Sequence, residues 1–271
     1  MSFKAAVLQI NSQPDVQENL NAITPLLERA ASDGARLALL PENFAFYGYP
    51  KRRLAESQEI FKTARSYLQQ KAAEYNIYLL GGGFPEPCEG SEGTRMYNRA
   101  ELFAPDGKSL AIYRKIHLFD VAVDEGTTYR ESDTVNSGAL TPIVAGTQEL
   151  GNIGLSICYD IRFPKLYHGL SEKGAQIITI PAAFTERTGM AHWEPLLRAR
   201  AIENQCYVLA AAQTGQHGPK MRTYGHAMII DPWGEVRANA GTETGYALAE
   251  VDLDYLQDIR TRLPSLTHRQ L

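Results

Sequence analysis

Cysteine is scarce in this sequence, and the motifs of metal sites are missing. The 271 residues include three cysteines, Cys88, Cys158 and Cys206, and no two of them form a Cys-x-x-Cys pair. This usage argues against a disulfide framework and favours a reducing compartment, so we expect a cytoplasmic protein. The six histidines show no His-Glu-x-x-His spacing. We therefore expect no metal site.

Long apolar runs and an excess of positive charge are missing too. No stretch approaches the ~20 apolar residues that span a bilayer, and the first residues lack the features of a signal peptide. The formal net charge of −4 disfavours a nucleic-acid partner, because such proteins present a basic face. The glycine triplet at 81–83 lacks the Lys-Ser/Thr of a phosphate loop, so we interpret it as a point of close packing. We expect no membrane and no nucleic acid as partner.

The sequence does contain an ordinary globular composition and a regular alternation of β-like and helical segments. Hydrophobic residues make up 44% and charged residues 21%, which suits one α/β domain over residues 1–271. Periodicity predicts helices near 15–33, 53–75 and 191–203, and a last helix from about Asp254. Short apolar runs predict strands near 3–10, 36–41, 77–84, 99–104, 109–115, 152–158, 176–181, 206–212, 226–232, 235–240 and 245–253.

The two halves of the chain resemble each other. Residues 34–44 (GARLALLPENF) match residues 174–184 (GAQIITIPAAF) in the Gly-Ala pair, the apolar run, the proline and the final phenylalanine. Residues 77–83 match 206–212 in the same order along the chain. Each half is then one sheet covered by helices, and two such sheets bury their bare faces by stacking. The repeat predicts a four-layer α-β-β-α sandwich with a pseudo-twofold axis.

Three residues interrupt this scaffold at the ends of predicted strands. Glu42 stands where the second half has Ala182, directly after a buried strand. Carboxyl ends of strands in α/β folds favour chemistry, but Glu42 alone is equally compatible with a helix cap or a rim charge. Lysines at strand ends, such as Lys115, are mostly solvated. Cysteines such as Cys158 are often buried and inert.

Taken together, the three positions resemble the nitrilase superfamily of carbon–nitrogen hydrolases. The matching motifs are LLPENF around Glu42, YRKIHLFD around Lys115 and SICYDIRFP around Cys158, in that order along the chain. The resemblance covers nearly the whole chain. It implies the same α-β-β-α fold, an amidase without metal or organic cofactor, and a homodimer or larger homo-oligomer whose other partners are a small amide and water.

Amide hydrolysis explains why these residue types are needed. An unperturbed thiol has a pKa of about 8.5, so Cys158 needs a proton acceptor to become the nucleophile, and Glu42 is the candidate. Lys115 is the candidate proton donor and oxyanion stabiliser, together with a backbone N–H near Tyr159. Attack would give a thioester, which water then hydrolyses. The resemblance adds a second glutamate that orients the lysine: Glu131 fits it, and Glu125 is the less favoured alternative.

The substrate class rests on a finer resemblance. Residues 188–218 resemble the branch of the superfamily that hydrolyses deaminated glutathione to an oxo acid and cysteinylglycine, although relatives often have proline at the position of Met190. An ω-amidase acting on 2-oxoglutaramate is the alternative, and an aliphatic nitrilase is less favoured. A noncatalytic scaffold that binds a partner is a further hypothesis, against which the intact Glu-Lys-Glu-Cys set argues.

The pocket is expected to recognise a carboxylate. Burying that charge unpaired is costly, so cations or N–H donors should face it. By the repeat, the loops after Pro41 and Pro181 rim one cleft. Asp160 and Arg162 are interpreted as an ion pair that holds the turn after the cysteine, with substrate contact by Arg162 as the less favoured alternative. The candidate binding residues are Tyr47, Tyr49, Arg52, Arg53, Tyr159, Phe184, Thr185, Arg187 and Thr188.

Overall fold

Two β-sheets lie at the centre of the structure, a computed structural model that describes residues 1–90, 93–124, 127–219 and 221–270. The strands of the first half of the chain are β1 (Ser2–Ile10), β2 (Ala35–Leu39), β3 (Tyr78–Pro87), β4 (Met96–Phe103), β5 (Ser109–Arg114), β6 (Asp120–Asp124), β7 (Thr127–Arg130) and β8 (Val135–Asn136), of which β6 and β7 form a separate two-stranded sheet. The second half contributes β9 (Ile143–Gly146), β10 (Asn152–Leu155), β11 (Ile177–Thr179), β12 (Tyr207–Ala210), β13 (Ala212–His217), β14 (Met221–Tyr224), β15 (Met228–Ile230), β16 (Val236–Asn239) and β17 (Gly245–Asp252).

Six α-helices accompany these strands among the described residues. The helix over Val16–Ser32 begins after Asp15, whose side chain accepts a hydrogen bond from the Glu18 N–H, and the helix over Ser57–Tyr75 ends at Asn76 in the left-handed conformation. Both are common ways of satisfying the free backbone groups at helix ends. The helices are α1 (Val16–Ser32), α2 (Pro50–Ala55), α3 (Ser57–Tyr75), α4 (Pro164–Glu172), α5 (Glu186–Asn204) and α6 (Leu253–Arg262).

The order of the strands repeats between the two sheets. In the first sheet β1, β2 and β3 are parallel neighbours, and β4 and β5 follow as antiparallel strands. The expectation that each half forms one whole sheet is wrong at the other edge, where β13, β14 and β17 of the second half join this sheet through pairing of β13 and β17 with β1. In the second sheet β10, β11 and β12 are parallel, and β15 and β16 follow antiparallel. The helices α1 and α3 in the first half correspond to α4 and α5 in the second. The repeat predicted from residues 34–44 and 174–184 is therefore confirmed at the level of topology.

The alternation of side chains along β1 defines the layers. Ala5 and Val7 belong to the core shared by the two sheets, whereas Ala6 and Leu8 pack with α1 and α3 on the other face. Because successive side chains of a strand point to opposite faces, the first sheet separates a helical layer from the second sheet. The helices α4 and α5 pack on β10 and β12. This confirms the four-layer α-β-β-α sandwich.

Several elements differ from the predicted ones. The helix expected over 53–75 is two helices, α2 and α3, which meet at Glu56. The strand expected to end at Cys158 ends at Leu155, and a 3-10 helix over Cys158–Arg162 follows it. The antiparallel pairs β6–β7 and β13–β14 have no counterpart among the predictions. Their short strands carry no clear apolar alternation.

Candidate active site

Glu42 lies just beyond the carboxyl end of β2, in a turn that needs unusual backbone freedom. Asn43 has a positive φ of 62°, and Gly83 on the neighbouring β3 has a φ of 55°. A Cβ at Gly83 would lie 2.6 Å from Cγ of Glu42, so only glycine leaves room for the carboxylate. The glycine triplet therefore serves close packing, as expected: Gly83 makes room for Glu42, while Gly81 and Gly82 approach Leu68 and Pro181.

Lys115 follows β5 and lies between two carboxylates. Its Nζ is 2.9 Å from Oε1 of Glu42 and 2.8 Å from Oε2 of Glu131, and its side chain is 2% exposed. Asn98 on β4 links the same two acids, because its Nδ2 donates to Glu42 at 2.9 Å and to Glu131 at 3.1 Å. Lysine and asparagine together fix the two carboxylates relative to each other.

Glu131 opens the 3-10 helix Glu131–Asp133, directly after β7. The backbone N–H of Phe119 donates to its Oε2 at 2.7 Å, which holds the carboxylate towards Lys115. The structure thus places Glu131 beside Lys115, and its role in orienting the lysine stays a prediction. Glu125, the less favoured alternative, lies outside the described residues.

Cys158 begins the 3-10 helix after β10 in a strained backbone conformation. Its φ is +48°, a value that non-glycine residues rarely adopt. The Cys158 N–H donates to the Pro181 carbonyl at 2.9 Å, which ties the cysteine to the equivalent proline of the repeat. The residue is 7% exposed, and the charges of Glu42 and Lys115 act on its thiol. Strain held by such contacts is common where a reactive side chain must be presented.

The electrostatics of the cluster place the proton on sulfur in the resting protein. Burial raises the pKa of the Cys158 thiol, and the charge of Glu42 raises it further, so it lies well above its ordinary value although Lys115 lowers it. Burial also raises the pKa of Glu42, but Lys115, the thiol and Arg53 more than offset this and bring it below its ordinary value. Burial lowers the pKa of Lys115, yet Glu131 and Glu42 hold it well above the usual range. The resting site is a carboxylate, an ammonium group and a neutral thiol.

Asp160 connects the segment of Lys115 to the segment of Cys158. Its Oδ2 accepts hydrogen bonds from the Tyr113 hydroxyl at 2.7 Å and from the Ile157 N–H at 2.9 Å. Its Oδ1 accepts from the His117 N–H at 3.1 Å and lies 2.7 Å from the His117 Nδ1. The expected ion pair between Asp160 and Arg162 is thus replaced by contacts to the end of β5.

A cavity of about 440 Å³ opens beside the cluster. The loops after Pro41 and Pro181 both line it, as the repeat predicted, and one further side is lined by His217, Gly218, Pro219 and Met221. Most candidate binding residues lie in its wall. They are Tyr47, Tyr49, Arg53, Tyr159, Phe184, Thr185 and Thr188.

Two candidates lie elsewhere. Arg52 does not line the cavity: its Nε pairs with Glu56 at 2.7 Å on the outside of α2. Arg187 is exposed and is likewise not among the lining residues. On a helix, adjacent residues face different directions, so Arg52 and Arg53 separate into an outer and an inner side chain.

Sequence reasoning missed several residues of the site. Asn98 lies within the buried strand β4, where only the sheet register brings it to the acids. Arg162 lines the cavity, with its guanidinium 5.1 Å from the Phe184 ring centre. Its position agrees better with substrate contact, the less favoured alternative, than with an ion pair to Asp160. Further lining residues that were not predicted are Phe119, Tyr129, Arg130, His217 and Met221.

The surroundings of the cluster provide no obvious metal centre. Within the described ranges, no group of three or more His, Cys, Asp or Glu side chains is arranged to hold a metal ion. No helix in the part of the chain that the structure covers is long and apolar enough to cross a membrane.

Two stacked sheets with a Glu–Lys–Glu–Cys cluster between them define the class of protein as a nitrilase-like hydrolase.

Comparison with known proteins agrees with this class. The carbon-nitrogen hydrolase family model matches residues 4–261. The deaminated glutathione amidase of Synechocystis sp. is 49% identical over 267 residues, 98% of each chain, and that of Mus musculus is 44% identical over 98% of this chain and 82% of its own. The structure of Saccharomyces cerevisiae Nit3, a member of branch 10 of the nitrilase superfamily, matches with a TM-score of 0.86 and 31% identity, covering 97% of this chain and 94% of that one. This chain belongs to the carbon–nitrogen hydrolase family.

Proposed function

We propose that this protein is an amidase that hydrolyses deaminated glutathione through a thioester on Cys158. The observation that carries this proposal is the cavity beside the Glu42–Lys115–Cys158 cluster, which three guanidinium groups line. Deaminated glutathione has a carboxylate at each end and the amide between them, so it needs a long pocket with more than one cation. The relatives with this name match the chain over 98% of its length.

In the proposed first half-reaction, the Cys158 sulfur attacks the amide carbon and its proton passes to Glu42. The carbonyl oxygen becomes an oxyanion near the Lys115 ammonium group. The Cys158 N–H is engaged by the Pro181 carbonyl, which leaves the Tyr159 N–H as the backbone donor for this oxyanion. The carbon–nitrogen bond then breaks, and the leaving amine takes up the proton.

In the proposed second half-reaction, water attacks the thioester carbon while Glu42 accepts its proton. The carbon–sulfur bond breaks and the proton returns to sulfur, so the acid is released and the resting protonation is restored. Glu131 holds Lys115 and Asn98 holds both acids through hydrogen bonds, which keep the base and the ammonium group in position. The cycle needs no electron transfer and consumes one water.

The proposal is tested by comparing substrates. Values of kcat/KM are measured for deaminated glutathione, 2-oxoglutaramate, succinamate and a simple aliphatic nitrile, with release of the amine or ammonia as readout. We expect deaminated glutathione to be the best substrate, because its longer structure offers more binding energy for the transition state. A preference for 2-oxoglutaramate would make the protein an ω-amidase, and no turnover of any amide would favour a noncatalytic scaffold.

We further propose that the chain is a single domain over residues 1–271 and that it forms a homodimer or larger homo-oligomer in the cytoplasm. One core shared by the two sheets supports the single domain. The exposed apolar side chains Met190 and Ile202 on α5 support association, because such groups favour burial. Cooperative unfolding in one transition and a mass of at least twice 30.0 kDa by light scattering are the expected results. A monomer at micromolar concentration would contradict the oligomer.

A further inference from the structure

Arg53 is a buried cation whose hydrogen-bond donors are mostly unused. It lies on α2, lines the cavity and is 9% exposed. Its Nη2 donates to Oδ1 of Asn98 at 3.5 Å, the outer limit of a hydrogen bond, and its Nε–H has no partner among the described residues. A guanidinium group carries five N–H donors, and a buried one is normally paired.

The carboxylates of the site do not supply this partner. Burial lowers the pKa of Arg53, while the charges of Glu131 and Glu42 raise it, so these acids act on Arg53 electrostatically. Every oxygen of the two acids already accepts hydrogen bonds from other groups. The donors are Lys115, Asn98, Ala183 and Phe119. The guanidinium group thus faces the cavity with donors available for an anion.

Tyr47 offers a second donor in the same wall. Its ring lies 4.3 Å from the His217 ring, and the His217 ring is held by the Ser12 carbonyl and the Thr223 hydroxyl. Tyr47 lines the cavity, and its hydroxyl has no hydrogen-bond partner among the described residues. Burial, with the negative charge of Glu42, raises the pKa of Tyr47, which keeps the hydroxyl protonated as a donor.

We propose that Arg53 and Tyr47 form the subsite for the α-carboxylate of the acyl half of the substrate. This inference rests on the proposed function and adds to it the end of the substrate that these residues recognise. Arg53 is buried next to Glu42 and Glu131, whereas Arg162 is half-buried and Arg130 is exposed at the edge of the cavity. The acyl half stays on Cys158 while the amine leaves towards solvent. The inner cation therefore suits the acyl carboxylate.

A pair of substrates tests the subsite directly. Deaminated glutathione is compared with levulinyl-cysteinylglycine, in which a methyl group replaces the α-carboxylate and all other groups are kept. We expect Arg53→Gln to lower kcat/KM for deaminated glutathione about tenfold to a hundredfold, mainly through KM, and to leave the levulinyl compound nearly unchanged. Arg53→Lys should retain part of the preference, and Tyr47→Phe should lose a smaller part of it.

The matched control is Arg52→Gln. It removes the neighbouring positive charge from the same helix, but Arg52 lies outside the cavity and pairs with Glu56. We expect this variant to keep the wild-type ratio between the two substrates. An equal loss of kcat on both substrates in Arg53→Gln would overturn the proposal, since it would show that Arg53 serves the catalytic cluster instead.

A second measurement does not depend on turnover. Alkylation of Cys158 by iodoacetamide is followed by mass spectrometry in the presence of 2-oxoglutarate or levulinate. We expect 2-oxoglutarate to protect the wild type and Arg52→Gln at least tenfold better than it protects Arg53→Gln, with intermediate protection of Arg53→Lys and no such difference for levulinate. If no amide is hydrolysed, the proposed function fails while this assay still decides the subsite. A wild type that 2-oxoglutarate does not protect would refute the subsite.

Discussion

At the scale of single residues, the proposed chemistry depends on Cys158 and not on the other buried cysteine. We expect Cys158→Ala to abolish turnover while the fold is retained, because the substitution is small and the proposed task of the sulfur is chemical. The matched control is Cys206→Ala. Cys206 is buried in the core, donates to the Ala175 carbonyl and is not among the residues that line the cavity. Turnover and the urea unfolding midpoint are measured for both, and substantial activity in Cys158→Ala would exclude the thioester.

Glu42→Gln should make the Cys158 thiolate easier to form and should at the same time slow catalysis. Burial raises the pKa of the Cys158 thiol, and the charge of Glu42 adds to this while Lys115 opposes it. Removing the carboxylate charge with Lys115 retained should therefore lower the thiol pKa. Turnover should nevertheless fall roughly 10²–10⁴-fold, since the general base is lost.

The thiolate of this variant is titrated by its ultraviolet absorbance, with Cys158→Ala as the blank. Near-wild-type turnover would remove Glu42 as the base. A thiol pKa equal to or above that of the wild type would contradict the electrostatic account of the site.

Some residues of the site could be predicted from the sequence and others could not, for physical reasons. Glu42, Lys115 and Cys158 were visible because each interrupts an apolar run at a strand end. Asn98 gave no such signal, since an asparagine within a strand is conspicuous only once the strand register places it between two acids. The sequence does not distinguish Arg52 from Arg53, because both are arginines at the start of the same helix. Only the orientation of α2 shows that Arg53 faces the cavity and Arg52 faces outward.

At the scale of elements, Asp160 fixes the 3-10 helix of Cys158 against the end of β5. We expect Asp160→Asn to lower kcat strongly. Asparagine replaces one carboxylate oxygen by an N–H₂ group, which cannot accept the hydrogen bonds that N–H or O–H donors now give to that oxygen. Leaving such buried groups unsatisfied costs about 1–3 kcal/mol each. Lys115 and Cys158 would lose their relative position, while KM should change less than kcat.

Turnover, KM and the unfolding midpoint are measured beside those of Asp106→Asn, a change in an exposed turn. If Asp160→Asn lowers stability but leaves kcat unchanged, Asp160 has only a structural role. If both quantities stay at their wild-type values, the connection between the two segments has no energetic importance.

The elements themselves were predictable to different degrees. Long apolar runs such as 3–10 and 36–41 gave strands in the right place, because their burial on both faces leaves a continuous apolar pattern. The pairs β6–β7 and β13–β14 were missed. Their pairing is antiparallel and local, and their sequences carry no clear apolar alternation, so neither periodicity nor composition marks them.

At the scale of the whole molecule, the repeat explains why the site lies between the sheets. The loops after Pro41 and Pro181 are equivalent, and contacts cross from one half to the other: the Ala183 N–H donates to Glu42 and the Gln213 side chain donates to the Glu42 carbonyl. The first half thus contributes the base and the second half contributes the nucleophile. A sequence repeat predicts such a meeting point, but it does not predict which residues of the connecting loops face inward.

The last prediction concerns the pH dependence of global stability. His217 joins β13 to the loop after β1 through the Ser12 carbonyl, and burial lowers its pKa to about 4. In the unfolded chain a histidine titrates near pH 6.5, so between about pH 6.5 and 4 the unfolded state binds a proton that the folded state does not. Stability should therefore fall as the pH drops through this window, by on the order of 3 kcal/mol in total. His217→Gln should show a flatter profile there, measured by urea unfolding at several pH values.

His268→Gln is the control, because His268 is exposed near the end of the chain, and it should follow the wild type. Parallel profiles for wild type and His217→Gln would show that His217 is not the group that makes the fold sensitive to mild acid.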